Sequence, residues 1–343
     1  MYSFFETYHH LDLFIKNLNF ALTHLMGAIK CAFWFRRGSY LIAIIRTLEQ
    51  PRFQYVQSET FNPGKISVDA KRRGFKYTMA FFLLAHMTLS SSYIPSGLMA
   101  VFRPTYVLDT HGNATFVQQL PYFSWIPFKH DTPTTYIFAL VYQAGPMVSY
   151  AYSIVGMDTL FMNIMNYLAC HLQILSGAFA TVVQRSKQQP ERELKKCIVH
   201  LQTVIRMCEK LEDVHKYLTL GQVMATLFIL CTSLFLVSTT PVASKQFAAE
   251  SVYMIAMGFQ LVLYCWFGNQ VTLGASEIPM ALWKCDWLST TKSFKACMLI
   301  TMIRMKKPIY LTVGKFAPLT LATYVAILKG SYSFFAVLKK AND

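Results

Sequence analysis

The stretch LTLGQVMATLFILCTSLFLVST, residues 218–239, decides the fold because it contains no charged side chain. As an α-helix it is ~33 Å long at ~1.5 Å per residue, enough to cross the ~30 Å hydrocarbon core of a bilayer. By the same test, five further stretches predict spans: residues 14–35 (despite Lys16, His24 and Lys30), 77–97, 136–161, 251–267 and 319–338. The sequence therefore predicts an all-α, polytopic membrane protein, a helical bundle with six visible spans.

Composition and charge distribution agree with this prediction. Hydrophobic residues make up 54% of the chain and charged residues only 14%, whereas soluble domains contain about 25% charged residues. Of the 32 Lys and Arg residues, 23 fall in three alternate loops, residues 36–76, 185–216 and 284–307. The positive-inside rule places these loops in the cytoplasm. The net charge of +15 is then a topology signal, and it does not indicate nucleic-acid binding.

This orientation predicts that both ends of the sequence face the outside. The first residues, MYSFFETYHHLD, lack the basic region and the cleavage site of a signal peptide. We therefore expect a further helix to precede the sequence, which gives seven spans and a cytoplasmic amino terminus.

The loop at residues 100–134 is the longest predicted external segment. It is rich in Pro and aromatic residues, which favours a packed lid, although an ordered loop without a role in ligand access remains an alternative. It carries the sequon at Asn113, a candidate glycosylation site. No cysteine falls in an external loop, so no disulfide framework is predicted.

Residues 191–218 predict a long amphipathic helix in the cytoplasm. Apolar residues recur there at steps of three or four, with charged residues on the other faces. With a second basic helix near residues 291–306, it indicates that the spans continue into a packed cytoplasmic collar. Binding of the helix to the membrane surface is the alternative.

The end of the chain predicts one helix over residues 308–338, with Pro308 in its first turn. Lys329 lies near the middle of its apolar part, where a charge facing lipid costs roughly 2.5 kcal/mol or more. Lys329 should therefore contact a neighbouring helix, and Asp158 is a candidate partner. One face of this helix, Leu328, Ser331, Phe335 and Leu338, suits a wet pore with a hydrophobic constriction. Packing inside its own bundle is the alternative.

Four motifs in order resemble the insect odorant receptors: GMDTLF (156–161), LYCWFGNQVT (263–272), ALWKCDW (281–287) and the segment 305–339. The resemblance runs from about residue 13 to the end. Gustatory receptors usually carry Gln-Phe five residues after Thr-Tyr in the last helix, whereas here Thr323-Tyr324 is followed by Gly330-Ser331. The co-receptor type is disfavoured because its cytoplasmic insertion between the fourth and fifth spans is far longer.

The resemblance implies a seven-span subunit of a heterotetrameric, ligand-gated, non-selective cation channel, formed with the odorant-receptor co-receptor. It implies a location in the plasma membrane of olfactory sensory neurons, with the carboxyl terminus outside. The last helix would line the pore, with its gate at Phe335 and its mouth near Leu338. The implied organisation is a bundle in residues 1–270 with cytoplasmic helix extensions at about 181–217, an anchor segment in 271–307, and the pore helix in 308–343.

The resemblance also implies a pocket for a small volatile ligand in the outer half of the bundle. Apolar and aromatic walls with a few polar groups are typical of such pockets. Polar and aromatic residues at helical spacing on the predicted spans give the candidate set His86, Ser90, Tyr93, Tyr142, Pro146, Ser149, Tyr150, Phe235 and Met257. Ordinary helix packing is the alternative for each of them.

Other classes of protein fit less well. No metalloprotease, hydrolase or phosphate-loop motif is present, so we expect no enzyme activity and no cofactor. His86 has no second ligand at metal spacing, so no metal site is predicted. A gustatory-receptor-like channel subunit, a G-protein-coupled receptor and a transporter remain alternatives, although a transporter usually shows repeated halves that are lacking here.

Overall fold

The computed structural model of the chain describes residues 11–108, 114–122, 124–186, 188–242, 244–307 and 309–342. The predicted glycosylation site at Asn113 and the predicted helix start at Pro308 lie outside these residues.

Six long helices form the bundle: α1 (Leu11–Leu48), α2 (Pro63–Phe102), α3 (Pro133–Ala180), α5 (Pro190–Thr239), α6 (Lys245–Lys284) and α8 (Leu321–Asn342). Two short helices, α4 (Val182–Arg185) and α7 (Lys292–Met305), and a 3-10 turn at Pro51–Phe53 lie between them. Two antiparallel hairpins complete the described chain, β1 (Tyr106–Leu108) with β2 (Ala114–Phe116) and β3 (Thr312–Val313) with β4 (Ala317–Pro318).

Local sequence explains where several helices begin. The Asn62 side chain accepts a hydrogen bond from the Lys65 amide at 2.9 Å, and Pro63 occupies the first turn of α2. Thr132 and Thr135 form a reciprocal capping box in front of α3, which also begins with a proline. These residues satisfy amide groups that have no partner inside the helix.

Five of the six predicted spans lie within one long helix each, and the sixth, 319–338, begins two residues before α8, which confirms the polytopic helical fold. By length and apolar composition, three helices of the described chain could each cross a membrane: α5, α6 and the segment Leu321–Lys340 of α8. The other three also bury polar side chains inside the bundle, including Asn19, Lys30, Ser96, Gln143 and Asp158. Polar residues are tolerated in spans when they face protein.

The tightest packing lies in the half of the bundle that the sequence assigns to the cytoplasm. There α3, α5 and α6 meet, and Leu168, Leu194, Leu211 and Val271 are completely buried. Since α3 and α5 have 48 and 50 residues, they extend well beyond a bilayer. The predicted amphipathic helix at 191–218 is confirmed as the first part of α5, and α7 confirms the second basic helix.

A buried histidine pair lies in this half, outside the predicted spans. His171 Nδ1 and His200 Nε2 are 3.0 Å apart, and the Tyr55 hydroxyl lies 3.0 Å from His200 Nδ1. Burial lowers the pKa of His171 to about 4, and burial together with the neighbouring His171 lowers the pKa of His200 to about 3. Both rings are therefore neutral in the folded protein at physiological pH.

We expect the protein to lose stability as the pH falls below about 6.5, the usual histidine value. Below this pH the two histidines bind protons in the unfolded chain but stay neutral in the folded chain. The free energy of unfolding therefore falls by about 1.4 kcal/mol per pH unit for each histidine until the pKa of the folded state is reached. Thermal unfolding in detergent at about pH 7.5, 6 and 5 measures this slope. The variant His86→Gln, at an exposed histidine, should keep it. A midpoint that stays constant down to about pH 5 would contradict the assignment.

The last part of the chain corrects the prediction of one helix over residues 308–338. The β3–β4 hairpin occupies its first third, and α8 begins only at Leu321. The turn places Gly314 and Lys315 at φ values of 60° and 67°, the left-handed region that ends a helix. This turn is anchored because the Gly314 amide donates to the Lys216 carbonyl at 3.1 Å.

Candidate functional site

A cavity of about 500 Å³ lies between α1, α2, α3, α6 and the loop after β2, in the half of the bundle that the sequence assigns to the outside. Its walls are mostly apolar and aromatic, as is typical of small-molecule sites. The lining includes Phe20, Phe81, Leu89, Met147, Ile154, Val155, Ala256 and Met257. This position agrees with the outer-half pocket that the resemblance implies.

The loop after β2 covers the cavity as a packed lid. Residues 117–122 and Ser124 line it directly. Gln143 on α3 fixes the lid, because its Nε2 donates to the Tyr122 carbonyl at 2.7 Å and to the Ser124 hydroxyl at 2.6 Å. The Tyr136 hydroxyl donates to the Gln119 carbonyl at 3.0 Å. The close packing of this loop, predicted from its Pro and aromatic content, is confirmed, and the loop lines the cavity.

Stacked rings shape the side of the cavity that α1 forms. Phe20 stacks on Tyr122 with 4.8 Å between ring centroids, and His24 stacks on Tyr150 at 4.5 Å. The Tyr150 hydroxyl donates to the His24 carbonyl at 2.8 Å, which fixes the ring between α3 and α1. A ligand here would meet flat apolar faces whose polar atoms are already hydrogen-bonded.

Only two of the nine predicted pocket residues line this cavity. Tyr150 and Met257 do. The other seven predicted residues lie outside this cavity: His86, Ser90, Tyr93, Tyr142, Pro146, Ser149 and Phe235.

These residues miss the cavity because each helix turns a different face toward it than the polar and aromatic pattern predicted. On α2 the cavity residues are Phe81, Ala85, Thr88, Leu89 and Ser92, a face of the same period as the predicted one but turned around the helix. The predicted residue His86 is exposed, with its Nδ1 2.8 Å from the Tyr152 hydroxyl.

The same displacement occurs on α3 and α5. Pro146 and Ser149 are exposed on α3, whereas Met147, Ala151, Ile154 and Val155 line the cavity. Phe235 on α5 is only 1% exposed and packs against Ile15 and Leu236. On α3 the missed lining is small or aliphatic, so the polar and aromatic signal selected another face of that helix. The Pro-rich loop was the sequence signal that did identify part of the site.

A buried polar network forms the floor of the cavity. Gln260 lines the cavity and donates to Asp158 on α3, and Gln222 on α5 donates to Gln260 at 3.0 Å. Asp158 also accepts from the Tyr264 hydroxyl at 2.8 Å. Lys30 on α1 forms an ion pair with Asp158 at 2.7 Å, and the two side chains are 3% and 2% exposed. The Asp158 carboxylate therefore joins α1, α3 and α6, and Gln260 extends the network to α5.

This network corrects the predicted pairing of Lys329 with Asp158. Asp158 is occupied by Lys30, and Lys329 is exposed on the outside of α8. A charged side chain in the middle of a span shows in the sequence, whereas its partner depends on how the helices are arranged.

The predicted pore face of α8 is only partly on the outside of the subunit. Ser331 is 4% exposed and donates to the Leu227 carbonyl of α5 at 3.2 Å, so within the subunit it faces α5 and not the outside. Phe335 is half-buried against the Ile15, Phe235 and Leu236 cluster. Leu328 and Leu338, each 37% exposed, lie at the margin.

No group of three or more His, Cys, Asp or Glu side chains suited to a metal ion occurs among the described residues. All eight cysteines are free thiols, and six of them are buried.

Similar proteins place the fold in a known context. A family profile described as "7tm Odorant receptor" matches residues 10–332. Odorant receptor 94a of Drosophila melanogaster is 22% identical over 283 residues, which cover 80% of this chain and 69% of that protein. Odorant receptor 23a of the same species is 26% identical over 223 residues, 64% of this chain and 59% of that protein. The chain thus spans about 60 to 70% of the length of these two relatives.

Solved structures share the architecture. The insect olfactory receptor OR5 from Machilis hrabei in complex with eugenol has a TM-score of 0.78 to this chain, at 12% identity. The comparison covers 96% of this chain and 82% of that one. The structure of OR5 reported without a named ligand gives the same TM-score at 13% identity. At these identities the likeness shows the fold alone.

Proposed function

This chain belongs to the 7tm odorant receptor family and is a multi-pass membrane protein, and from that premise we propose that it is the odorant-binding subunit of a ligand-gated, non-selective cation channel. The partner is the odorant-receptor co-receptor, in a heterotetramer in the plasma membrane of olfactory sensory neurons. Its carboxyl terminus faces the outside.

The cavity beneath the external lid carries this proposal. It combines a volume of about 500 Å³ with aromatic and aliphatic walls, which suits a small volatile organic molecule. Burial of apolar ligand surface stabilises binding by about 25 cal/mol per Å². The OR5 neighbour is described in complex with eugenol, a small organic compound, which supports this class of ligand.

The position of α8 supports the channel part of the proposal. Only 11% of its apolar stretch is buried within the subunit, against 61% for α5. One stripe of its outward face is polar or small, with Ala322, Ala326, Lys329, Ser333 and Ala336 exposed, whereas Val325, Phe334 and Val337 are exposed beside it. Such a face suits water or close contact with a neighbouring helix better than lipid.

We therefore move the proposed pore surface to this outward face. The margin residues Leu328, Phe335 and Leu338 stay at the proposed gate, where bulky apolar side chains close a narrow path for ions. Ligand occupancy opens the path only if the ligand binds the open state better than the closed one.

Filling the cavity is expected to abolish the response to volatiles. In Ala85→Phe the added ring occupies part of the cavity, so a ligand loses its site. Whole-cell recording against a panel of volatiles, with the co-receptor expressed alongside, measures the response. The matched control is Leu83→Phe on the same helix, where the side chain is 60% exposed and outside the cavity. A normal response of Ala85→Phe at normal surface expression would count against the pocket.

A pair of serines on α8 tests the pore surface. Ser333→Lys places a charge on the exposed face and is expected to alter cation permeation or block several-fold. Ser331→Ala, two residues earlier but buried against α5, should leave permeation unchanged. The measurement is the reversal potential and current–voltage relation of the complex. Identical permeation in Ser333→Lys would overturn the outward-face assignment.

A further inference from the structure

Glu250, in the second turn of α6, is a buried carboxylate that lines the cavity. It is 7% exposed. Within the described residues its side chain has neither a hydrogen bond nor an ion pair. A buried charge without a partner is costly, so such a group usually has one. Because Glu250 lines the cavity, a ligand bound there could supply the missing partner.

A second unfilled acceptor lies in the lid. Gln118 lines the cavity and donates through Nε2 to the Ser96 carbonyl at 2.9 Å. Its Oε1 atom is buried, and no donor reaches it from the described part of the chain. The tyrosine hydroxyls nearby are already engaged, Tyr122 with Ser92 at 3.2 Å and Tyr253 with Thr23 at 2.6 Å. Among the described lining residues the cavity thus offers two empty acceptors, and the buried Nδ1 atom of His130 is a third polar atom there without a partner.

The charge around Glu250 distinguishes between kinds of donor. Lys16 on α1 lines the same cavity and lies close enough to attract Glu250 electrostatically, but it forms no ion pair with it. A ligand ammonium at Glu250 would therefore be repelled by Lys16. A neutral hydroxyl meets no such repulsion, since it donates to the carboxylate and can accept from the ammonium.

We propose that this cavity selects small apolar molecules that carry one hydroxyl group, and that Glu250 accepts the hydrogen bond of that hydroxyl. The assignment rests on the proposed odorant-binding function and specifies its ligand class. The apolar part of the ligand packs on the Phe20, Tyr122 and Tyr150 rings. An ether of the same size buries the same surface and leaves both acceptors empty.

Two isomers test the proposal, 1-octanol and 1-methoxyheptane, which differ in the hydroxyl proton. Binding to the purified full chain in nanodiscs is measured by thermal stabilisation with a thiol-reactive dye, which reports exposure of the buried cysteines. A hydrogen bond to a charged group should make 1-octanol bind about 10-fold tighter or more. In Glu250→Leu this ratio should fall to about one because the ether keeps its affinity while the alcohol loses its acceptor.

Two further variants separate charge and folding from the proposed contact. Glu250→Gln keeps an acceptor of similar size, so it should retain part of the preference for 1-octanol. Glu277→Gln, at an exposed position on the same helix outside the cavity, should retain all of it.

The outcomes that overturn the proposal differ from those that overturn the function. Equal binding of both isomers to the unmodified chain, or a preference that survives in Glu250→Leu, overturns the hydroxyl assignment and leaves the apolar pocket intact. Tighter binding of octylamine than of 1-octanol overturns it in favour of a cationic ligand. Absence of binding by either isomer overturns the odorant-binding function as well.

Discussion

Replacing Asp158 by alanine is expected to destabilise the protein by about 3–5 kcal/mol, because it leaves Lys30 buried without a counter-charge. Gln260 and Tyr264 lose their acceptor at the same time. Since domains are stable by only ~5–15 kcal/mol, most of the chain should fail to reach the cell surface. Surface expression and the thermal midpoint of the purified protein, measured by fluorescence-detected size-exclusion chromatography, report this effect.

Two controls show whether the buried charge is the cause. The double variant Lys30→Met with Asp158→Leu removes both charges and keeps apolar volume, so it should recover much of the lost stability. Asp213→Ala removes the ion pair between Asp213 and Lys216. Since the Asp213 side chain is 66% exposed, this variant should change the stability little. If the double variant were as unstable as Asp158→Ala, the hydrogen bonds of Asp158 would matter more than its charge.

Replacing Gly268 by alanine is expected to separate α8 from the bundle. A Cβ atom on Gly268 would overlap the backbone carbonyl and side chain of Leu319, the segment that leads into α8. Leu319 is 1% exposed and its amide donates to the Leu311 carbonyl at 2.7 Å, so it has little room to move. Overpacking of this kind costs about 1–3 kcal/mol. Channel currents should therefore fall sharply even where some protein reaches the surface.

Gly258 on the same helix is the matched control. A Cβ atom there would meet only Leu230 Cδ2 at 3.9 Å, an ordinary contact. Alanine is also a better helix former than glycine by about 0.5–1 kcal/mol, so Gly258→Ala should be neutral or stabilising. Normal currents and an unchanged thermal midpoint in Gly268→Ala would show that α6 and the segment before α8 are not in tight contact.

Both predictions depend on the same part of the molecule. Asp158 lies in the GMDTLF motif and Gly268 in the LYCWFGNQVT motif, two of the stretches that carry the family resemblance. The structure gives each a physical role: Asp158 is the acceptor that joins α1 and α6 to α3, and Gly268 lies against Leu319, just before the last helix. Because Gln260 belongs to both the cavity lining and the Asp158 network, ligand contacts and helix packing meet at one side chain.

The candidate site was predictable only in part. Its depth, its lid and the presence of Tyr150 and Met257 followed from span positions and composition. The face of each helix did not, because lipid and protein are both apolar surroundings. An outward Leu83 and an inward Leu89 look alike in the sequence. Polar residues such as His86 and Ser149 were expected to face a ligand, but they lie outside the cavity.

The sequence by itself determined what depends on local chemistry: the helical spans, the orientation signal of the basic loops, the long amphipathic helix and the family. Apolar length and charge can be read from consecutive residues, so no partner is needed. Only the tertiary structure decided that Lys30 reaches Asp158, that Ser331 faces α5, and that Glu250 opens onto the cavity. Each of these contacts joins residues more than 90 positions apart or depends on the rotation of a whole helix. A short stretch of sequence contains no information about either property.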